Sequence, residues 1–167
     1  FILRGTYTES LQPLTNGVIQ LESIDLRVEE GEQEDNYFSV KRVIDGDTIE
    51  ITDGTRVRYT GIDTPEAGNC WGEEAKMVNE SLVSGKKVKL EDDIEKLDKY
   101  SRRLAYAWID GQLVNEELVK RGIATVTTYP PNVKYVDRYI QAQQEAKANK
   151  LGIWGDNVCS DNKGNVE

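Results

Sequence analysis

From Tyr37 to Ile62 short β-type runs are divided by tight turns. "YFSVKRVI", "DTIEI" and "TRVRYTGI" are the runs, with "DG" at 45–46 and "TDG" at 52–54 between them. Turns of this chemistry predict three strands in a meander. The period then changes. "WGEEAKMVNESLVSG" places Ala75, Val78, Leu82 and Val83 at helical spacing, and Gly85 supplies a stop. "KKVKLE" reads as a strand and "RRLAYAWIDGQLV" as a hairpin turning at Asp110-Gly111. Asn115 is expected to cap a short helix over "EELVKRG", with acids in its first turn and Lys120-Arg121 in its last. "IATVTTY" is strand-like and "YPPN" is a loop. A last helix over "VKYVDRYIQAQQEAKANKLG" would set Val136, Tyr139, Ile140, Ala146 and Leu151 near one face. About five strands with three helices suit a mainly β, α+β domain, such as a small Greek-key barrel of the OB type.

The ends of the chain differ from this body. Residues 1–36 hold a strand-like alternation at Ile24, Leu26 and Val28, then the acidic stretch "EEGEQED". They read as an N-terminal extension or linker, 37–155 as the domain, and 156–167 as a tail. The 167 residues carry a formal charge of -9. The extension has eight acids against Arg4 and Arg27, a net of -6. The body is nearly neutral, so the global charge does not exclude a basic cleft or a polyanionic partner. No apolar run approaches the roughly 20 residues of a membrane helix. The chain starts at Phe1 rather than Met, as a processed or truncated piece would.

There is no histidine. That removes Ser-His-Asp triads, His-based ribonuclease chemistry and His-ligated zinc. Chemistry is left to carboxylates, Arg, Lys, Tyr, Cys or an oxygen-bound metal. The two cysteines, Cys70 and Cys159, form a disulfide or stay as buried thiols. The polar context of Cys159 favours the bridge, and with it an oxidising compartment. Closing that loop would contribute roughly 4–5 kcal/mol in the chain-entropy model.

Two acidic turns hold the candidate chemistry, "VIDGDTIEI" at 43–51 and "RVRYTGIDTPEAG" at 56–68. In a hairpin joined at 52–54, the start of its first strand lies beside the end of its second. Asp47 and Asp63 should therefore approach each other and offer oxygen ligands to Ca²⁺ or Mg²⁺. Taken alone, "DGDT" reads more simply as an Asx turn made by Asp45 and Asp47. Alternation places Arg58 and Asp63 on opposite faces unless Gly61 breaks the period. "DKYSRRLAY" adds Lys99, Arg102 and Arg103. Arginine forks beside a metal and a carboxylate would suit phosphate.

"VIDGDT", "RVRYTGIDTPE", "DKYSRRLAY", "VNEELVKRGIA" and "YPPN", in this order over about residues 38–155, closely resemble the staphylococcal-nuclease-like (thermonuclease) family. The resemblance implies a five-stranded OB-type barrel with three helices. It implies Ca²⁺-dependent hydrolysis of DNA and RNA, giving 3′-phosphate ends, with single-stranded or unwound strands as substrate and a monomer as the expected form. The start at Phe1 and the favoured bridge point to a secreted or cell-surface protein of bacterial type, a cytosolic one being the alternative if the thiols are free. Asp47, Asp63 and the Thr64 carbonyl match the family's metal ligands. Glu66 matches the acid at the attacking water, and Arg58 and Arg102 the phosphate arginines. Lys99, Tyr100 and Tyr129 match substrate contacts. Ser101 stands where the family usually has Gly, and Thr127 where some members have a stacking Tyr. The full set of site positions weighs against the other reading, a non-catalytic OB-type nucleic-acid-binding module.

Overall fold

The computed structural model describes residues 36–155. The strand expected around 24–28 and the tail from 156, with Cys159, lie outside the described residues. Strands β1 (Tyr37–Val43), β2 (Thr48–Ile51) and β3 (Arg56–Tyr59) form the expected antiparallel meander. A two-residue strand β4 (Ile62–Asp63) follows, then helix α1 (Gly72–Val83). Strand β5 (Lys87–Glu91) pairs with β1 on one side and β6 (Arg103–Ile109) on the other. The parallel pair β3–β6, with Tyr59 opposite Ala105, closes the ring β3-β2-β1-β5-β6. The result is a five-stranded OB-type barrel with three helices. β1 can serve two partners because its register shifts between Val40 and Arg42, a bulge that bends the strand.

β7 (Gln112–Leu113) extends the sheet beyond β6 and leads into α2 (Val114–Lys120). β8 (Thr125–Val126) pairs with β4, and α3 (Val136–Ala148) runs into a 3-10 turn at Gly152–Trp154. Strand alternation fills the barrel with Ile49, Val57, Val88, Leu90 and Ala107, all fully buried. Leu118 and Val119 of α2, also fully buried, join the same core. Side chains of this size each contribute about 1.5–3 kcal/mol on burial.

Two helix readings need correction. Asn115 is not a cap, since Leu113 occupies that position and Asn115 is the second residue of α2. Its buried amide accepts from the Ala107 N–H (3.0 Å) and donates to the Thr60 carbonyl (2.9 Å). It thereby satisfies two backbone groups just where β3 leaves β6. On α3 the buried stripe is Tyr139, Ala142 and Ala146, while Ile140 and Leu151 are each 41% exposed. The strand read over "IATVTTY" shrinks to the two residues of β8.

Candidate active site

The turn from β1 to β2 is shaped by Asp45, whose carboxylate accepts the Asp47 N–H at 3.1 Å. This is the Asx turn, and it leaves the Asp47 side chain free for other work. Asn79 of α1 donates to the Asp45 carbonyl and accepts from the Tyr59 hydroxyl, both at 3.0 Å, so α1 fixes this turn to the barrel wall. Gly46 permits the close approach. A Cβ there would lie 2.5 Å from Thr64 Oγ1 and 2.7 Å from the Ala75 Cβ.

β2 and β3 pair as the hairpin requires, with Thr48 opposite Arg58, and the two acidic turns meet at one rim. Asp47 is buried, and its Oδ2 accepts from the Thr64 N–H (2.9 Å) and hydroxyl (3.0 Å). Gly61, at φ 84°, turns the chain after β3, and the period of two is lost there. Arg58 and Asp63 consequently meet: Arg58 Nη2 lies 2.7 Å from Asp63 Oδ1 and 3.0 Å from Asp47 Oδ2. Its Nη1 donates to the carbonyls of Tyr59 (2.9 Å) and Ile62 (2.8 Å), which hold the fork in place. Burial pushes the Asp47 carboxyl up to about 6. The Arg58 charge pulls the other way, the Asp45 charge adds to the push, and the hydrogen bonds from Thr64 oppose it.

A groove of about 640 Å³ is lined by Arg56, Glu66, Tyr100, Ser101, Arg102 and the 54–55 turn. The chain ties it to this cluster, since Arg56 stands two residues before Arg58 and Glu66 three after Asp63. Glu66 is exposed, and its side chain has no hydrogen bond or ion pair among the described residues. Arg102 is aimed by Asp98, which accepts from its Nε (2.7 Å) and its backbone N–H (2.9 Å). Burial disfavours the Asp98 charge, but these bonds and one from the Tyr100 N–H hold its pKa below the usual range. The Arg102 guanidinium also lies 5.5 Å from the Tyr100 ring centre, and Lys99 Nζ lies 5.0 Å from it. Tyr100 is 68% exposed. Ser101 takes φ 61°, the left-handed conformation that favours glycine.

The structure thus brings Asp47, Asp63, Thr64 and Arg58 into direct contact and sets Glu66, Tyr100 and Arg102 along one groove. Tyr129 does not line that groove. It is exposed three residues beyond β8. Arg103 is committed elsewhere, to Asp92 at 2.8 Å and the Phe38 ring. Arg56, Asp98 and Asn79 contribute to the site although the sequence reading passed over them. Arg56 shares a strand face with Arg58, and that spacing of two was the available signal.

Does this rim suit a hard cation? Its donors are all oxygens, from Asp47, Asp63 and Thr64. The Arg58 nitrogen already touching both carboxylates marks where positive charge is favoured, and the raised Asp47 shows that this charge falls short of compensating the burial. Among the described residues no three His, Cys, Asp or Glu side chains cluster as a metal cage. The oxygen donors at the rim suit a hard cation completed by carbonyl, water and ligand oxygens rather than an all-protein cage. Among the described residues there is no free cysteine. Cys70 sits just before α1, and its expected partner Cys159 lies outside the described residues.

The model of the family described as "Staphylococcal nuclease homologue" matches residues 56–156, and the chain belongs to that family. It is 44% identical over 130 residues to the SPbeta prophage-derived endonuclease YokF of Bacillus subtilis (strain 168), covering 71% of this chain and 44% of that protein. It is 42% identical over 137 residues to Endonuclease YncB of the same organism, covering 75% of this chain and 65% of that protein. With the Thermonuclease of Staphylococcus intermedius it shares 44% identity over 126 residues, 70% of this chain and 75% of that one. The chain thus spans less than half the length of YokF and about two thirds of YncB.

Proposed function

We propose that this chain is a Ca²⁺-dependent nuclease that hydrolyses phosphodiester bonds of DNA and RNA and leaves 3′-phosphate ends. The observation that carries the reading is the junction of Arg58 with Asp47 and Asp63, together with the groove that brings Glu66 and Arg102 onto one surface. Asp47, Asp63 and the Thr64 carbonyl would hold Ca²⁺, which supplies charge neutralisation at a phosphate oxygen. The arginine forks grip the other phosphate oxygens as charge builds on phosphorus. Both forks are preset, Arg58 by two carbonyls and Arg102 by Asp98. Glu66, unpaired and exposed beside them, accepts a proton from the attacking water or holds that water in line. The new P–O bond forms from the water oxygen while the bond to the 5′ oxygen breaks, and the leaving oxygen takes a proton from solvent.

The names of the relatives, two endonucleases and a thermonuclease, support a nuclease reading. We propose single-stranded or unwound strands as preferred substrates, an exported monomer as the working form, and a Cys70–Cys159 bridge tying the tail to the loop beside Glu66. No helix among the described residues is long and apolar enough to cross a membrane. End-group analysis tests the proposed chemistry. Fragments of a 5′-labelled oligonucleotide digested with Ca²⁺ should resist 3′ extension by a polymerase until a phosphatase has acted. Fragments extended without that treatment carry 3′-hydroxyls and contradict the proposed cleavage.

A further inference from the structure

A second groove, of about 750 Å³, lies on the outer face of β1, β5 and β6. Its floor is a ladder across three strands. Tyr37 stands opposite Lys89, and Lys89 opposite Trp108. Lys87, two positions before Lys89, shares the outward face, and Lys86 enters the same strand. All three lysines are exposed, and none pairs with a carboxylate among the described residues. Arg56, Lys76, Lys99 and Lys147 also lack a carboxylate partner among the described residues, but they stand apart from one another in the sequence, whereas these three share one groove. Many of the other cations are paired. Lys41 and Arg42 are bound to Glu50, Arg103 to Asp92, Arg121 to Glu117, and Lys120 and Arg138 to Glu116.

Two acids line the groove, and they do not cancel the lysines. Glu91 is already occupied by Lys134, by Trp108 Nε1 (2.8 Å) and by the Tyr135 hydroxyl (2.9 Å). Asp110, in the β6–β7 turn, is left against three lysines, a local balance of +2 among the described residues. One ring in the groove is also available. Tyr37 is 51% exposed at its edge. Trp108 is less so, since Tyr135 and Arg138 pack on it. Unpaired cations beside an open aromatic face match a sugar-phosphate backbone with its bases.

We propose that this groove is a second binding track for the single-stranded polynucleotide whose cleavage we assign to the barrel rim. The inference rests on that nuclease reading. β1 joins the two places. Tyr37 lies at its start, and Val43, at its end, precedes the turn that carries Asp47. At about 3.3 Å per residue the two ends are roughly 20 Å apart. That span is within reach of the about 4–16 nucleotides that OB barrels hold. A strand gripped by the lysines can pass to the rim, whereas a dinucleotide at the rim cannot reach them.

The test replaces Lys86, Lys87 and Lys89 together by Gln in the full chain. It compares an oligo-thymidylate long enough to span both places with a dinucleotide ester. For the long strand KM should rise, with kcat unchanged. The slope of log affinity against log salt should shrink by about 2, from roughly 0.7 per lysine. Dinucleotide kinetics should not change, and arginine at the three positions should retain the long-strand affinity. An unchanged KM and salt slope for the long strand overturn the second track. Binding measured by fluorescence anisotropy decides the groove separately from cleavage. A parent protein that cuts neither substrate refutes the nuclease reading, while the salt slope still reads the lysines. A slope unchanged in the variant, with vesicles of anionic lipid bound instead, overturns the proposal in favour of a membrane surface.

Discussion

Replacing Asp47 by Asn should make the metal-free protein more stable, although it removes a proposed metal ligand. Burial raises the Asp47 carboxyl from an ordinary 3.8 to about 6, even with Arg58 and Thr64 pulling it down. The folded state therefore holds this proton more tightly than the unfolded state. Stability from this group is fully present below about pH 4 and is lost as pH rises to about 6. A shift of about two units corresponds to roughly 3 kcal/mol. Asparagine stays neutral, keeps the shape and leaves Arg58 its contact with Asp63. Urea unfolding in EDTA from pH 4 to 8 reads the effect. The variant should exceed the parent by up to about 3 kcal/mol at neutral pH, and the gap should close towards pH 4. Ca²⁺ at one thousand times Kd should reverse the order by stabilising only the parent, by about 4.1 kcal/mol. A variant less stable than the parent at neutral pH without metal, or a gap that ignores pH, would refute the reasoning.

Ser101→Gly should stabilise by about 0.5–1 kcal/mol, because Ser101 sits at φ 61°, and thermal unfolding checks it. Gly46→Ala puts a methyl 2.5 Å from Thr64 Oγ1. It should cost about 1–3 kcal/mol and weaken Ca²⁺ binding measured by calorimetry, whereas unchanged binding would show that the turn tolerates the shift. Replacing Cys70 and Cys159 by Ser should lower stability by about 2–5 kcal/mol with little change in turnover, and an unaltered melting temperature would sink the bridge.

The meander β1–β3 was legible because its runs are bounded by Asp-Gly turns, and α1 because its apolar positions recur at helical spacing. β4 and β8, two residues each, are too short to show a period, and they form only because the chain returns alongside Asp63. Asn115 misled because asparagine before two acids is a cap signature, whereas its amide is needed inside the barrel. The face of α3 was blurred because two of its three buried positions are alanines, which contrast weakly with their neighbours. At the site, the approach of Asp47 and Asp63 follows from the hairpin alone. The place of Arg58 does not, since it depends on the turn at Gly61 and on two backbone carbonyls. The groove between the 54–55 turn and the 98–102 turn joins segments some fifty residues apart, and no local pattern marks it.

The most direct measurement is cleavage of single-stranded DNA with Ca²⁺, with Mg²⁺ and with EDTA, for the parent and for Glu66→Gln. Cleavage is expected with Ca²⁺ alone. It should fall by about 10²–10⁴ in the variant while Ca²⁺ affinity holds. Intact DNA under every condition, with a gel shift still present, would contradict hydrolysis at this rim and leave a barrel that only binds.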